Sequence, residues 1–257
     1  MNTNKSLVVA LYTFKEILKS KILLNVFFVG LGLMIVTYVA TEFTYGVPER
    51  VAVDFGLGML SLSSIAISLF LGVGLLSKEI ESRTVYMIIS RPIHRYSFII
   101  GKILGLMGIQ LVNLVVLSGM ILTASYLLGG EVNSLLIWTV GFIFLESLLL
   151  LLVVSFVSLL ANNVLTVLFS LVILLLGHSI KETQNSLFVQ KNPLLNGLLE
   201  IYHFVLPAFY KLNLKDFVIY EKSLPLSYLG SSLIYGVVYS TALLFLIIAV
   251  FNRKNLD

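Results

Sequence analysis

Few residues in this chain could do chemistry inside an apolar run, and Glu146 is foremost among them. It sits in Leu145-Glu146-Ser147, midway through the run from Leu135 to Leu160. A carboxylate so placed costs about 2.5–3.5 kcal/mol on insertion scales, and must therefore be protonated, paired or facing water. Two roles are open to it. One is a hydrogen-bonded packing group, with Ser147, Ser155 and Ser158 marking a polar face able to bond across helices. The other is a proton carrier on a transport path. The second chemical resource is the dense charge between Ser77 and Lys102, where Lys78, Arg83, Arg91, Arg95 and Lys102 face only Glu79 and Glu81. Such charges, mixed with apolar Val85, Ile88, Ile89 and Ile93, can orient and hold a soluble protein partner.

Other chemistries find no support. His94, His178 and His203 are far apart, none at i, i+4 from another histidine, so no histidine metal site is expected. Met34, Met59, Met107 and Met120 spread over three spans without paired spacing and read as core or lipid filler. The chain has no cysteine, hence no disulfide, thiolate site or thiol nucleophile. No phosphate-cradling Gly-Lys-Ser/Thr loop, Glu-Glu pair, His-Glu-x-x-His or plausible Ser-His pair occurs, so neither ATP hydrolysis nor an intramembrane reaction is expected of this chain.

The elements that must position these groups are membrane helices. Of 257 residues, 58% are hydrophobic and 12% charged, with a mean hydropathy of +1.02, against about 25% charged in soluble domains. Apolar runs of roughly 20 residues, each able to cross a bilayer core, recur along the chain. Six spans are expected, near Ile22–Thr41, Asp54–Leu76, Phe98–Leu128, Leu135–Leu160, Val164–Ser179 and Tyr228–Phe251, in one domain covering 1–257. The first run reads as a retained span, although Tyr38-Val39-Ala40 leaves a cleaved signal open. Span two is rich in small residues, including Ser61, Ser63, Ser64 and Ser68, suited to close packing or to a polar wall. Gly101 and Gly105 open span three in GxxxG spacing.

Ahead of the first span, Leu7, Leu11, Phe14 and Leu18 recur on one face beside Lys15, Glu16 and Lys19. That pattern predicts an interfacial helix on the cytoplasmic leaflet or, alternatively, an extension of span one. Gly46-Val47-Pro48 and Gly129-Gly130-Glu131 supply outer turns, and Asn162-Asn163 the break between spans four and five. Between spans five and six, Lys181 to Pro225 carries an apolar face at Leu194, Leu195, Leu198, Leu199, Tyr202 and Val205, read as an extracytoplasmic amphipathic segment on or dipping into the outer leaflet. Basic clusters at Lys15–Lys21, Lys78–Lys102 and Arg253-Lys254 put both termini in the cytoplasm of a multi-pass protein of the cell (inner) membrane. The net charge of +4 lies in those segments and calls for no nucleic acid.

The stretch Glu79–Thr84, then Ile88-Ile89-Ser90-Arg91-Pro92-Ile93-His94-Arg95, then Gly101-Lys102, resembles the cytoplasmic coupling segment of ATP-binding cassette (ABC) exporter permeases. The branch it is most similar to includes permeases of multicopper-enzyme maturation and of gliding motility. Many members of that branch carry Gly before the Thr, where this chain has Arg83. The Leu206-Pro207 step and the Leu212–Asp216 stretch are also similar to that branch. The resemblance implies a coupling helix between spans two and three, with Glu79, Glu81, Arg83, Thr84, Ile88, Ile89, Arg91, Pro92 and Arg95 docking a separate ABC ATPase. It implies a second permease copy, identical or related, and ATP with Mg bound by the ATPase rather than by this chain; an extracytoplasmic partner protein is compatible with it. The alternative expectation, of a different class, is a proton-coupled secondary transporter or channel built on Glu146.

Overall fold

In the computed structural model the described residues are 3–19, 22–43, 48–74, 94–130, 133–186, 206–219 and 224–253, with single positions between 189 and 205. All regular structure among them is helical: α1 (Thr3–Lys19), α2 (Ile22–Glu42), α3 (Pro48–Gly74), α4 (Arg95–Leu127), α5 (Ser134–Ser158), α6 (Asn163–Asn185), a 3-10 turn at Phe209–Lys211, α7 (Lys215–Ile219) and α8 (Leu226–Arg253). Five of these, α3 to α6 and α8, are long and apolar enough to cross a membrane. The chain is a multi-pass membrane protein. The first expected span corresponds to α2, helical over 21 residues.

Local chemistry sets the helix ends. Pro48 opens α3 instead of closing a turn, because its fixed φ suits the first helical position and its missing N–H is not needed there. Asn133 and Asn162 cap α5 and α6, their side chains accepting from the N–H of Leu135 and Leu165 at 3.3 and 2.9 Å. The α4 helix ends in a Schellman motif: Gly129 takes φ +84°, and the N–H groups of Gly129 and Gly130 reach back to the carbonyls of Tyr126 and Ser125. A turn was expected at Gly129-Gly130, and this motif supplies it.

The bundle is built around α5. Every residue from Glu146 to Ser155 is buried, as suits a helix that is apolar all round, and α3, α4, α6, α7 and α8 all pack against it. Between α3, α4 and α5 lies a closed polar seam. Gln110 donates to the Ser64 carbonyl (2.9 Å) and Ser68 Oγ (3.0 Å), Asn113 donates to Ser64 Oγ (3.1 Å), Ser63 donates to Asn113 Oδ1 (3.0 Å), and Ser68 donates to the Ser147 carbonyl (2.8 Å). The small residues of α3 are therefore hydrogen-bonded packing. In contrast, the hydroxyls of Ser147, Ser155 and Ser158 turn back to carbonyls of Phe144, Leu151 and Ser155 on their own helix. They do not bond across helices, because a helical serine finds its i−3 or i−4 carbonyl already in reach.

Helix α1 is seated along the start of α4. A Cβ placed on Gly101 would come within 2.6 Å of the Ser6 carbonyl and of Val9, and one on Gly105 within 2.7 Å of Thr13 and 2.9 Å of the Ala10 carbonyl. The face of α1 that meets protein is thus Ser6, Val9, Ala10 and Thr13, with Phe14 against Gly108. Of the expected apolar face, Leu7 and Leu11 are 54% and 52% exposed and left to lipid, while Phe14 and Leu18 pack against the bundle. Small residues win the protein side because the glycines of α4 admit close backbone approach.

Candidate functional site

Two facing helices bring Glu146 and His178 together. Glu146 stands twelve residues from either end of α5. His178 on α6 places Nε2 at 3.2 Å from Glu146 Oε1, the carboxylate side chain being 3% exposed and the imidazole 28%. His178 Nδ1 lies 3.0 Å from the Leu174 carbonyl. A carbonyl only accepts, so Nδ1 carries a hydrogen and a neutral ring would turn a bare Nε2 lone pair toward the carboxylate. The contact is therefore favourable only when the pair holds one further proton, either as imidazolium and carboxylate or as imidazole and carboxylic acid. The approach is bent, and among the described residues neither carboxylate oxygen has an in-line hydrogen-bond partner. The arrangement can hold a proton and release it.

The segment after α6 braces this pair from the side. Leu206 to Leu214 tucks into the bundle, with Phe209 and Leu212 at 0% exposure and Leu214 at 1%. The Phe209 ring stacks on the His178 imidazole, centroids 5.8 Å apart and planes 2° from parallel. Gly177 lets the segment in, since a Cβ there would lie 2.5 Å from the Pro207 carbonyl. From α8, Tyr235 accepts the Ala208 N–H at 2.8 Å and Tyr239 donates to the Val205 carbonyl at 2.8 Å. Where a segment on or dipping into the outer leaflet was expected, residues 206–214 form a protein-packed insertion.

The insertion delivers a cation. Asn213 Oδ1 accepts from the Lys215 N–H (3.3 Å) at the start of α7, and Lys215 Nζ donates to Ser61 Oγ at 2.8 Å. Ser61 is the middle residue of α3, thirteen from each end. Sequence reading had singled out Glu146 but neither His178 nor Lys215. Farther along the insertion, burial pushes the Tyr202 phenol up to about 12, and its hydroxyl has no partner among the described residues.

Of the coupling residues, Glu79, Glu81, Arg83, Thr84, Ile88, Ile89, Arg91 and Pro92 lie outside the described residues. Arg95 does not stand in a separate element: it is the first residue of α4, whose N-terminus is the extended His94. Its guanidinium reaches the Asn252 carbonyl at 3.5 Å, at the C-terminal end of α8 where unpaired carbonyls favour a cation. Among the described residues no group of three His, Cys, Asp or Glu could hold a metal ion. The chain matches no protein-family model and no curated protein.

Proposed function

We propose that this chain is the permease subunit of an ABC exporter, carrying a substrate across the inner membrane at the expense of ATP hydrolysed by a separate ATPase subunit. Six spans, α2 to α6 and α8, put both termini and the segment before Arg95 in the cytoplasm; at 21 residues α2 is about 32 Å long, enough for a hydrocarbon core of ~30 Å. The observation that carries the reading is mechanical. The helix leaving the coupling segment starts at Arg95, is gripped by α1 along Gly101 and Gly105, and touches the end of α8. A push on residues 79–95 by an ATPase that closes on ATP would move α1, α4 and α8 as one lever. A second copy of the permease, identical or related, completes the pathway. The test is charge reversal of Glu81 and Arg91: docking to the ATPase encoded beside this chain should weaken by about 1–3 kcal/mol, roughly 5- to 150-fold. Wild-type binding and wild-type stimulation of ATPase activity by the doubly reversed chain would sink the assignment.

A second reading, proton-coupled transport by this chain without an ATPase, is favoured by the Glu146–His178 pair. Proteoliposomes containing this chain alone separate the two readings, because only the second gives proton flux there.

A further inference from the structure

Beyond the proton-holding pair lies a second polar site, at the C-terminal end of α6 and the N-terminal end of α8. It is a cavity of about 260 Å³ into which Lys181, Tyr210, Lys211, Tyr228, Ser232 and Tyr235 converge, with no carboxylate among the described residues of its lining. We propose that this cavity binds a phosphate group, presented by a phospholipid headgroup or by a free phosphate ester.

The two ammonium groups come from different elements and are held by ring faces. Lys211 Nζ sits 4.5 Å from the Tyr235 ring centroid and 5.9 Å from that of Tyr210, while Lys181 Nζ sits 5.8 Å from that of Tyr210. Among the described residues neither lysine has a carboxylate partner. A ring face positions an ammonium without taking up its N–H donors, so both charges remain available to an anion. Tyr235 accepts a backbone N–H through its phenol oxygen, which leaves its own hydroxyl hydrogen to donate. Burial first, and then the neighbouring Tyr228 and Tyr235 phenols, push Tyr210 above the ordinary tyrosine range, so it adds no negative charge to the cavity wall.

Two cations and several hydroxyl donors exceed what a flat carboxylate with two oxygens can satisfy; a tetrahedral phosphate offers more acceptors, and lysine binds it as a point charge. The volume falls short of the ~300–1,000 Å³ that engulfs a drug-sized ligand, so a headgroup fits and a whole amphiphile does not. Beside the site on α8, Leu226, Leu233 and Ile234 are 77%, 40% and 63% exposed, an apolar surface along which acyl chains could lie.

Lysine footprinting of the wild-type full chain tests this without any variant. The purified protein is placed in nanodiscs of phosphatidylcholine, in the same discs with inorganic phosphate added, and in discs containing phosphatidylglycerol. Each sample is acylated with an N-hydroxysuccinimide ester and read by mass spectrometry. Lys191, exposed in the same inter-helix segment, is the internal reference for surface potential. The expected result is labelling of Lys181 and Lys211 slowed several-fold relative to Lys191. Protection in every disc, phosphatidylcholine alone included, or in phosphatidylglycerol discs alone, identifies a lipid headgroup, and protection that appears in phosphatidylcholine discs only when inorganic phosphate is added identifies a free phosphate ester as sufficient. Lysines 181 and 211 that track Lys191 in all three samples overturn the proposal. A K181Q/K211Q chain adds a second readout: phosphatidylglycerol or phosphate should raise the melting temperature of the wild type and leave that of the variant unchanged. Equal shifts in both proteins also overturn it.

Discussion

Adding one methyl group at Gly177 should loosen the whole lateral support of the Glu146–His178 pair. In Gly177→Ala the new Cβ would lie 2.5 Å from the Pro207 carbonyl oxygen and 2.6 Å from Phe209 Cδ2. Ordinary contacts lie at roughly 3.5–4.0 Å, so the insertion must retreat by about 1 Å. The nearest obstacle is backbone, and no rotamer change relieves it. Overpacking of this kind costs about 1–3 kcal/mol, while replacing glycine by alanine in a helix returns about 0.8–1.0 kcal/mol. The net effect is between neutral and roughly 2 kcal/mol of destabilisation. Gly119→Ala on α4 is the control, because its Cβ would meet nothing within 4 Å and only the helical gain remains. The two variants should differ by the overpacking term, about 2–12 °C in melting temperature at roughly 2–4 °C per kcal/mol. Thermal unfolding in one detergent, followed by tyrosine fluorescence or a thiol-free dye, reads the difference. A Gly177→Ala protein as stable as Gly119→Ala would show that residues 206–214 do not sit against α6, and the site described above would lose its Phe209 wall.

His178→Ala strands the buried carboxylate and should destabilise by about 3–5 kcal/mol, but by clearly less in a Glu146→Gln background; additive effects in thermal unfolding would mean that the pair is not coupled. Glu146→Gln alone keeps a hydrogen-bonding head and should leave the protein folded and assembled, so retained transport would assign Glu146 to packing and lost transport to the pathway. Gly101→Ala pushes on the backbone of α1 and should increase tryptic cleavage at exposed Lys15 and Lys19, with wild-type cleavage contradicting the docking of α1. Tyr202 is raised from 10.0 to about 12 by burial, so its neutral form is favoured in the fold; its contribution is intact below pH ~10 and is lost as pH rises through about 12. Alkaline unfolding of Tyr202→Phe should therefore begin at a higher pH than that of wild type.

The long apolar helices were legible in the sequence because membrane spans are long apolar runs, and Asn162 and Gly129 marked two of their ends, whereas α3 begins at Pro48, where a turn was expected, and α6 runs on to Asn185. The Glu146–His178 meeting was also within reach. Each residue is sixteen positions from Asn162, so a tight antiparallel hairpin sets them at one depth. Reading the histidines only against metal-ligand spacing passed over that symmetry. Lys215 had no such signal. It reaches Ser61, 154 positions away in sequence, only because the insertion folds inward between α6 and α8, and that depends on Gly177, Tyr235 and Tyr239 acting together. The protein-facing side of α1 was not legible for a related reason: hydrophobic periodicity marks what prefers to leave water, and beside lipid it does not mark what touches protein.

The same bundle contains its own standard for a structural polar contact. In the seam of Gln110, Asn113, Ser63, Ser64 and Ser68, donors and acceptors meet at 2.8–3.1 Å, and none of these side chains is left buried without a partner. Such a seam rigidifies, because moving any member leaves a polar group unsatisfied in a low-dielectric interior. Glu146 and His178 are arranged otherwise. Their contact is bent, the second carboxylate oxygen is unpartnered among the described residues, and the imidazole is partly open. A packing role alone would favour the seam's chemistry, which was available a few residues away. An underused carboxylate against a histidine of adjustable protonation instead suits a proton that must arrive and leave.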